Sequence, residues 1–152
     1  MIKLYYSRNI EESDFFMKKA LRKAGYTDIE IKRTENGKPY ADENVFFSLS
    51  HTEDLIVCAV SDCEIGIDAE KIRNINNLQK IARKILKTEE ITNDAEFLKL
   101  WTKHESKVKF FGETLFTSPE KLGDVDTNTF RLGDYIISVS AEKVDNIETE
   151  MI

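Results

Sequence analysis

The sequence predicts an α+β domain: a compact, mostly antiparallel sheet packed by a long helix. Three features carry that expectation. Short strand-like runs follow one another through tight turns over 45–70 and again over 128–141, as antiparallel neighbours do. One long amphipathic stretch, 93–112, separates the two groups. The 152 residues, 41% hydrophobic and 33% charged with 6 Gly and 2 Pro, suit one globular domain without a long flexible linker.

Each element has a local reason. "IKLYY" reads as a first strand. "IEESDFFMKKALRKAG" spaces Phe15, Phe16, Ala20, Leu21 and Ala24 as a helix does, and Gly25 suits its stop. "DIEIKR" alternates like an exposed strand, and "ENGKPY" turns the chain. "VFFSLS" and "LIVCAVS" are two strands flanking "HTED", and "SDCE" turns into "IGIDAE", expected as a third member of the same sheet. A helix within 71–87 would present Ile75, Leu78, Ile81 and Ala82. The longer helix has a capping-box form in Asn93 and Glu96, with Gly112 as its close. Phe97, Trp101 and Val108 mark its buried face, Trp101 being the expected core anchor. "NTFRL", "GD" and "YIISVSA" complete a hairpin, followed by an acidic tail at 142–152.

The formal net charge of −6 argues against general nucleic-acid binding through a basic surface. That total hides a basic run, Lys71 to Lys87, which holds six cationic side chains and no acid. Cys58 and Cys63 fit no zinc pattern and read as thiols of a reducing cytosol. The start of the chain lacks the apolar core of a signal peptide, and no run approaches the ~18–20 apolar residues that span a bilayer. The expectation is a cytoplasmic protein without membrane contact.

Strand alternation turns Ile65 and Ile67 to one face and Gly66, Asp68 and Glu70 to the other. Two carboxylates at i and i+2 can reach one hard cation such as magnesium, or they are the solvated end of a strand. Gly66 on the same face leaves space for a ligand or a neighbouring backbone. Glu105 lies four residues after Trp101 and four before Lys109, so it offers a third acid or an ordinary surface ion pair. Ser50 and His51 point apart on an extended chain, unlike a nucleophile and its base. Both can donate to phosphate oxygens; a capped turn is the other reading. Lys38, beside rigid Pro39, is either a further phosphate contact or an exposed turn lysine.

Taken in order, "GKPY", "FSLSHT", "GIDAE" and "WTKHESKVK" resemble the motifs of the surfactin-synthetase-activating type of 4′-phosphopantetheinyl transferase. The matches span residues 37–109. The resemblance implies that family's fold, and transfer of the phosphopantetheine arm from coenzyme A to a serine of an acyl or peptidyl carrier protein, with release of 3′,5′-ADP. It implies Mg²⁺ held by Asp68, Glu70 and Glu105, and Lys109 against the pyrophosphate. Lys38, His51 and Ser50 would take phosphates, and Glu105 would be the base for the serine, directly or through a water on the metal. Asp68, Glu105 and Lys109 are thus the expected catalytic set. The basic run 71–87 becomes the expected docking surface for an acidic carrier. A non-catalytic binding module and a Mg²⁺-dependent phosphohydrolase are the alternatives.

Two departures stand out. His104 occupies the place of a usual lysine, removing a permanent cation. Residues 1–36 make a reduced first half before the motif-bearing 37–141, with Lys18, Lys19 and Arg22 as candidate replacements for missing nucleotide contacts. Pairing with a second copy would restore a two-halved arrangement.

Overall fold

The computed structural model describes residues 1–88, 91 and 93–152. In chain order the elements are β1 (Ile2–Ser7), α1 (Ser13–Lys23), β2 (Lys32–Arg33), β3 (Pro39–Tyr40), β4 (Phe46–Thr52), β5 (Leu55–Ser61) and β6 (Ile65–Lys71). Then follow α2 (Leu78–Ile81), which runs into a π turn (Ala82–Leu86), α3 (Asp94–Phe111), a 3₁₀ turn (Pro119–Lys121), β7 (Asp126–Leu132), β8 (Tyr135–Ala141) and β9 (Ile147–Met151).

The strands form a four-stranded sheet, β4-β5-β1-β9, a three-stranded antiparallel sheet, β6-β8-β7, and the small β2-β3 pair. All pairs are antiparallel except β1 with β9. Two-residue loops close the β4-β5 and β7-β8 hairpins, the second with Gly133 at φ +57°. The expectation that β6 continues the sheet of β4 and β5 is corrected. β6 pairs with β8, seven residues in register from Ile65↔Ala141 to Lys71↔Tyr135.

Alternation sorts the side chains into layers. Leu55, Val57 and Ala59 of β5 meet Ile65, Ile67 and Ala69 of β6 and Ile137 and Val139 of β8 between the two sheets. Ile56, Cys58 and Val60 face the other way, onto Phe16, Met17, Ala20 and Leu21 of α1. The order is therefore helix, sheet, sheet, helix, with α3 outermost on β6 and β8. Burying these aliphatic side chains contributes roughly 1.5–3 kcal/mol each before entropy is counted. Phe15, expected in the α1 stripe, is instead 59% exposed, and Met17 takes the buried place. Glu12 caps α1, accepting from the Asp14 and Phe15 amides, and Gly25 follows its end at φ +99°.

α3 is capped by Asn93, whose side chain accepts from Glu96 N–H at 2.8 Å, and closes at left-handed Gly112. "DIEIKR" forms only the two-residue β2, while the acidic tail adds β9 as an edge strand. Asp54, in the β4-β5 turn, ties the layers at one end. It accepts from Tyr135 Oη, from Arg8 Nη2 at 3.2 Å and from Lys71 Nζ at 3.5 Å. No helix among the described residues is long and apolar enough to cross a membrane.

Candidate active site

α3 lies on β6 at backbone distance. A Cβ on Gly66 would stand 2.0 Å from the Ser106 carbonyl oxygen and 2.5 Å from the Phe110 nitrogen, so only glycine fits. The space that Gly66 leaves is taken by neighbouring backbone. Alongside, Thr102 and Ser106 of the helix meet Ser138 and Ser140 of β8, each pair 2.8 Å apart. Those serines meet Thr129 and Thr127 of β7 at 2.7 and 2.8 Å. This small, hydroxylated contact sets the helix rotation. Trp101, expected to do so, is half-buried and stacks on Phe97 with ring centroids 5.8 Å apart.

So seated, α3 brings Glu105 and Lys109 to the polar face of β6. Asp68 is 6% exposed. Its Oδ1 accepts from Lys109 Nζ at 3.1 Å and from Ser50 Oγ at 3.2 Å, while its buried Oδ2 has no partner among the described residues. Burial raises the pKa of Asp68, and Lys109 opposes the rise. Glu105 Oε1 is also buried and unpartnered, and burial, then the Asp68 charge, pushes Glu105 up to about 7. A buried carboxyl group and a half-buried one that repel each other are relieved by a shared proton or a cation. Glu70 stands further out, accepting from Arg73 Nη1 at 2.8 Å and from Thr52 Oγ1 at 3.5 Å.

The donors here are all oxygen, and two carboxylate oxygens are orphaned. That set fits a hard divalent cation better than zinc or copper. Among the described residues no group of three or more His, Cys, Asp and Glu side chains is gathered as a metal-holding cluster.

Next to the carboxyl groups, a cleft of about 300 Å³ is lined by Arg33, Lys38, His51, Lys109 and Gly112 among others. Lys109 Nζ also donates to the Leu49 carbonyl at 3.2 Å, which holds it at the cleft wall. Lys38 Nζ donates to Glu64 Oε1 at 2.5 Å and to the Phe110 carbonyl at 3.0 Å, tying the 34–38 turn to the end of α3. Ser50, by contrast, is buried against Asp68. Sequence reasoning overlooked Arg33, which pairs with Asp14 at 2.5 Å. Its signal was the Asn-Gly turn, which folds Arg33 back beside Pro39. Lys18 and Arg22 line a separate hollow with Tyr26 and Ile29, and Lys19 pairs with Glu11. His104 is buried, its Nε2 3.2 Å from the Leu115 carbonyl oxygen, with burial lowering its pKa.

Fold and site together define an α+β protein whose carboxylate–lysine centre opens on a cation-lined cleft, an arrangement suited to anionic, phosphate-bearing ligands. Sequence comparison agrees with that class. No protein-family model matches the chain. It is 32% identical over 98 residues to 4′-phosphopantetheinyl transferase gsp of Aneurinibacillus migulanus, covering 59% of this chain and 40% of the relative. It is 31% identical over 117 residues to 4′-phosphopantetheinyl transferase psf-1 of Bacillus pumilus, covering 66% of this chain and 48% of the relative. The chain thus spans less than half the length of these curated relatives, and its resemblance is to 4′-phosphopantetheinyl transferases.

Proposed function

We propose that the chain transfers the 4′-phosphopantetheine arm of coenzyme A to a serine of an apo acyl or peptidyl carrier protein. The observation that carries the reading is the pair of orphaned, buried carboxylate oxygens on Asp68 and Glu105, bridged to a cationic cleft by Lys109. Similarity to two named transferases supports it.

Asp68 and Glu105, with Glu70 at the rim, would hold Mg²⁺, a hard cation that suits oxygen donors. Such an ion would supply Lewis-acid stabilisation of charge developing on the pyrophosphate. Lys109, fixed by the Leu49 carbonyl, faces the same charge from the cleft wall. Arg33, Lys38 and His51 line the route for the remaining phosphates. The serine oxygen attacks the β-phosphorus, the bridging P–O bond breaks, and 3′,5′-ADP leaves with the bond electrons. Glu105 takes the serine proton, directly or through a water. No covalent enzyme intermediate is required.

The partner reading rests on charge. Lys80, Arg83 and Lys84 surround an open hollow with Leu78 and Gln79 beside the α2 turn, suited to an acidic carrier face. Pairing of two copies is a further expectation, which the mass in solution tests. So is cytoplasmic residence, which fractionation tests.

Incubation with coenzyme A, Mg²⁺ and several apo carriers tests the reaction. The expected result is carrier mass gain matched by 3′,5′-ADP, abolished in Asp68→Ala and Glu105→Ala. No mass gain on any carrier overturns it. Coenzyme A bound without carrier modification would leave a binding module, and cleavage without modification a phosphohydrolase.

A further inference from the structure

Among the described residues, no strand pairs with the edge of β6 turned toward β4. Its amides are taken by side-chain hydroxyls instead. Ile67 N–H donates to Ser48 Oγ at 3.1 Å, Ala69 N–H to Ser50 Oγ at 3.1 Å, and Lys71 N–H to Thr52 Oγ1 at 3.4 Å. Each partner lies nineteen residues on from its hydroxyl. The residues one step earlier are those of the polar face. Ser50 Oγ donates to Asp68 Oδ1, and Thr52 Oγ1 donates to Glu70 Oε2 at 3.5 Å, while the position corresponding to Ser48 is Gly66, which has no side chain to hold.

A serine hydroxyl has one hydrogen to donate. That of Ser50 is committed to Asp68, its oxygen already accepts an amide, and the side chain is buried. Little is left with which to meet a phosphate. With Lys109 on the same oxygen, Asp68 Oδ1 is saturated and Oδ2 is the free one.

We infer that Ser50 is a positioning residue for the cation site: it fixes the Asp68 carboxylate so that a single oxygen faces the cation, and it does not bind a coenzyme A phosphate. The inference rests on the proposed cation site and extends it. Thr52 does the same more loosely for Glu70, and Ser48 supplies the backbone tie alone.

Ser48 therefore provides the control. Mn²⁺ binding, as a stand-in for Mg²⁺, is measured by titration calorimetry on the whole chain without coenzyme A, in the wild type, Ser48→Ala, Ser50→Ala and Ser50→Cys. Ser50→Ala should weaken Mn²⁺ about 10-fold, as loss of a partner that orients a metal ligand does. Ser50→Cys, which keeps a weak donor, should fall between, and Ser48→Ala should stay within about 2-fold of wild type. The KM for coenzyme A at saturating Mg²⁺ should not rise in Ser50→Ala. If Ser50→Ala does not fold, Ser50→Cys against Ser48→Ala decides. Equal Mn²⁺ affinity in the Ser48 and Ser50 variants, or a raised KM with unchanged metal affinity, overturns the inference. So does a wild type that binds no Mn²⁺. Failure of carrier modification with the Mn²⁺ differences intact sinks the transferase reading and leaves this one standing.

Discussion

The two faces of the β6-β8-β7 sheet are built on opposite principles. The inner face, Ile65, Ile67 and Ala69 with Ile137 and Val139, is mainly aliphatic, with Tyr135 at one end, and meets the other sheet. The outer face, under α3, carries Gly66, Asp68, Ser138 and Ser140. Aliphatic contact is strong but tolerant of small slips, because dispersion and burial are non-directional. Hydroxyl pairs and a glycine seat are weaker but directional, and they fix where a helix lies to within a fraction of an ångström. The inner face supplies stability; the outer face supplies position.

The sharpest way to break that contrast uses adjacent residues. Ile67→Ala opens a cavity on the inner face and should lower stability by about 3 kcal/mol, with Mn²⁺ affinity below the melting range nearly unchanged. Gly66→Ala should cost a similar ~3 kcal/mol by overpacking, but it should also push α3 away and abolish Mn²⁺ binding. Denaturant titration and calorimetry measure both. Equal loss of metal affinity in the two variants would erase the distinction.

Next in size is the penalty of the carboxyl pair. Glu105 holds its proton to about 7 in the fold, against 4.5 for the ordinary group. Such a group contributes stability that is complete below the unfolded value and is lost as pH rises from about 4.5 to about 7. Cation-free wild type should lose on the order of 2 kcal/mol across that window, and Glu105→Gln should not. At pH 8 the variant should melt several degrees higher. A flat wild-type profile would remove the strain from the outer face.

Smaller effects come from single hydroxyls. Ser140→Ala strips one partner each from Ser106 and Thr127 and should cost about 1–2 kcal/mol, measured as a shift in urea midpoint. The smallest concerns the Asp54 tie. The bond from Tyr135 holds Asp54 down to about 2, so its contribution is present above the usual 3.8 and is lost as pH falls toward 2. Asp54→Asn should flatten the acid end of the stability profile, and an unaltered acid midpoint would show that the tie is dispensable.

Much of this was legible beforehand. Alternation in "GIDAE" fixed which face Asp68 takes, and i,i+4 spacing put Glu105 and Lys109 together. The Asn93 and Gly112 caps set the ends of α3 within a residue. What escaped were decisions made between elements. A short turn at Ser61–Glu64 suggests a hairpin, yet β6 pairs with β8, because both edges of β5 are already taken by β4 and β1. β9 has one half-buried residue followed by exposed ones, the pattern of an edge strand that alternation hardly distinguishes from a solvated tail. Phe15 and Met17 exchanged places because helical spacing gives a stripe without saying where its margin falls. Arg33 entered the cleft by a turn whose direction no local pattern specifies.

The hydroxyl row along β4 also acts as a check on assembly. Were β4 to dock one residue out of step, Leu49 and His51 would face β6 in place of Ser50 and Thr52, and buried amides would lose their acceptors. Misaligned closure of the two sheets is therefore penalised at several positions at once, while correct closure joins segments only about nineteen residues apart, a short loop to close. The same atoms that aim Asp68 tell the folding chain that its halves have met in register.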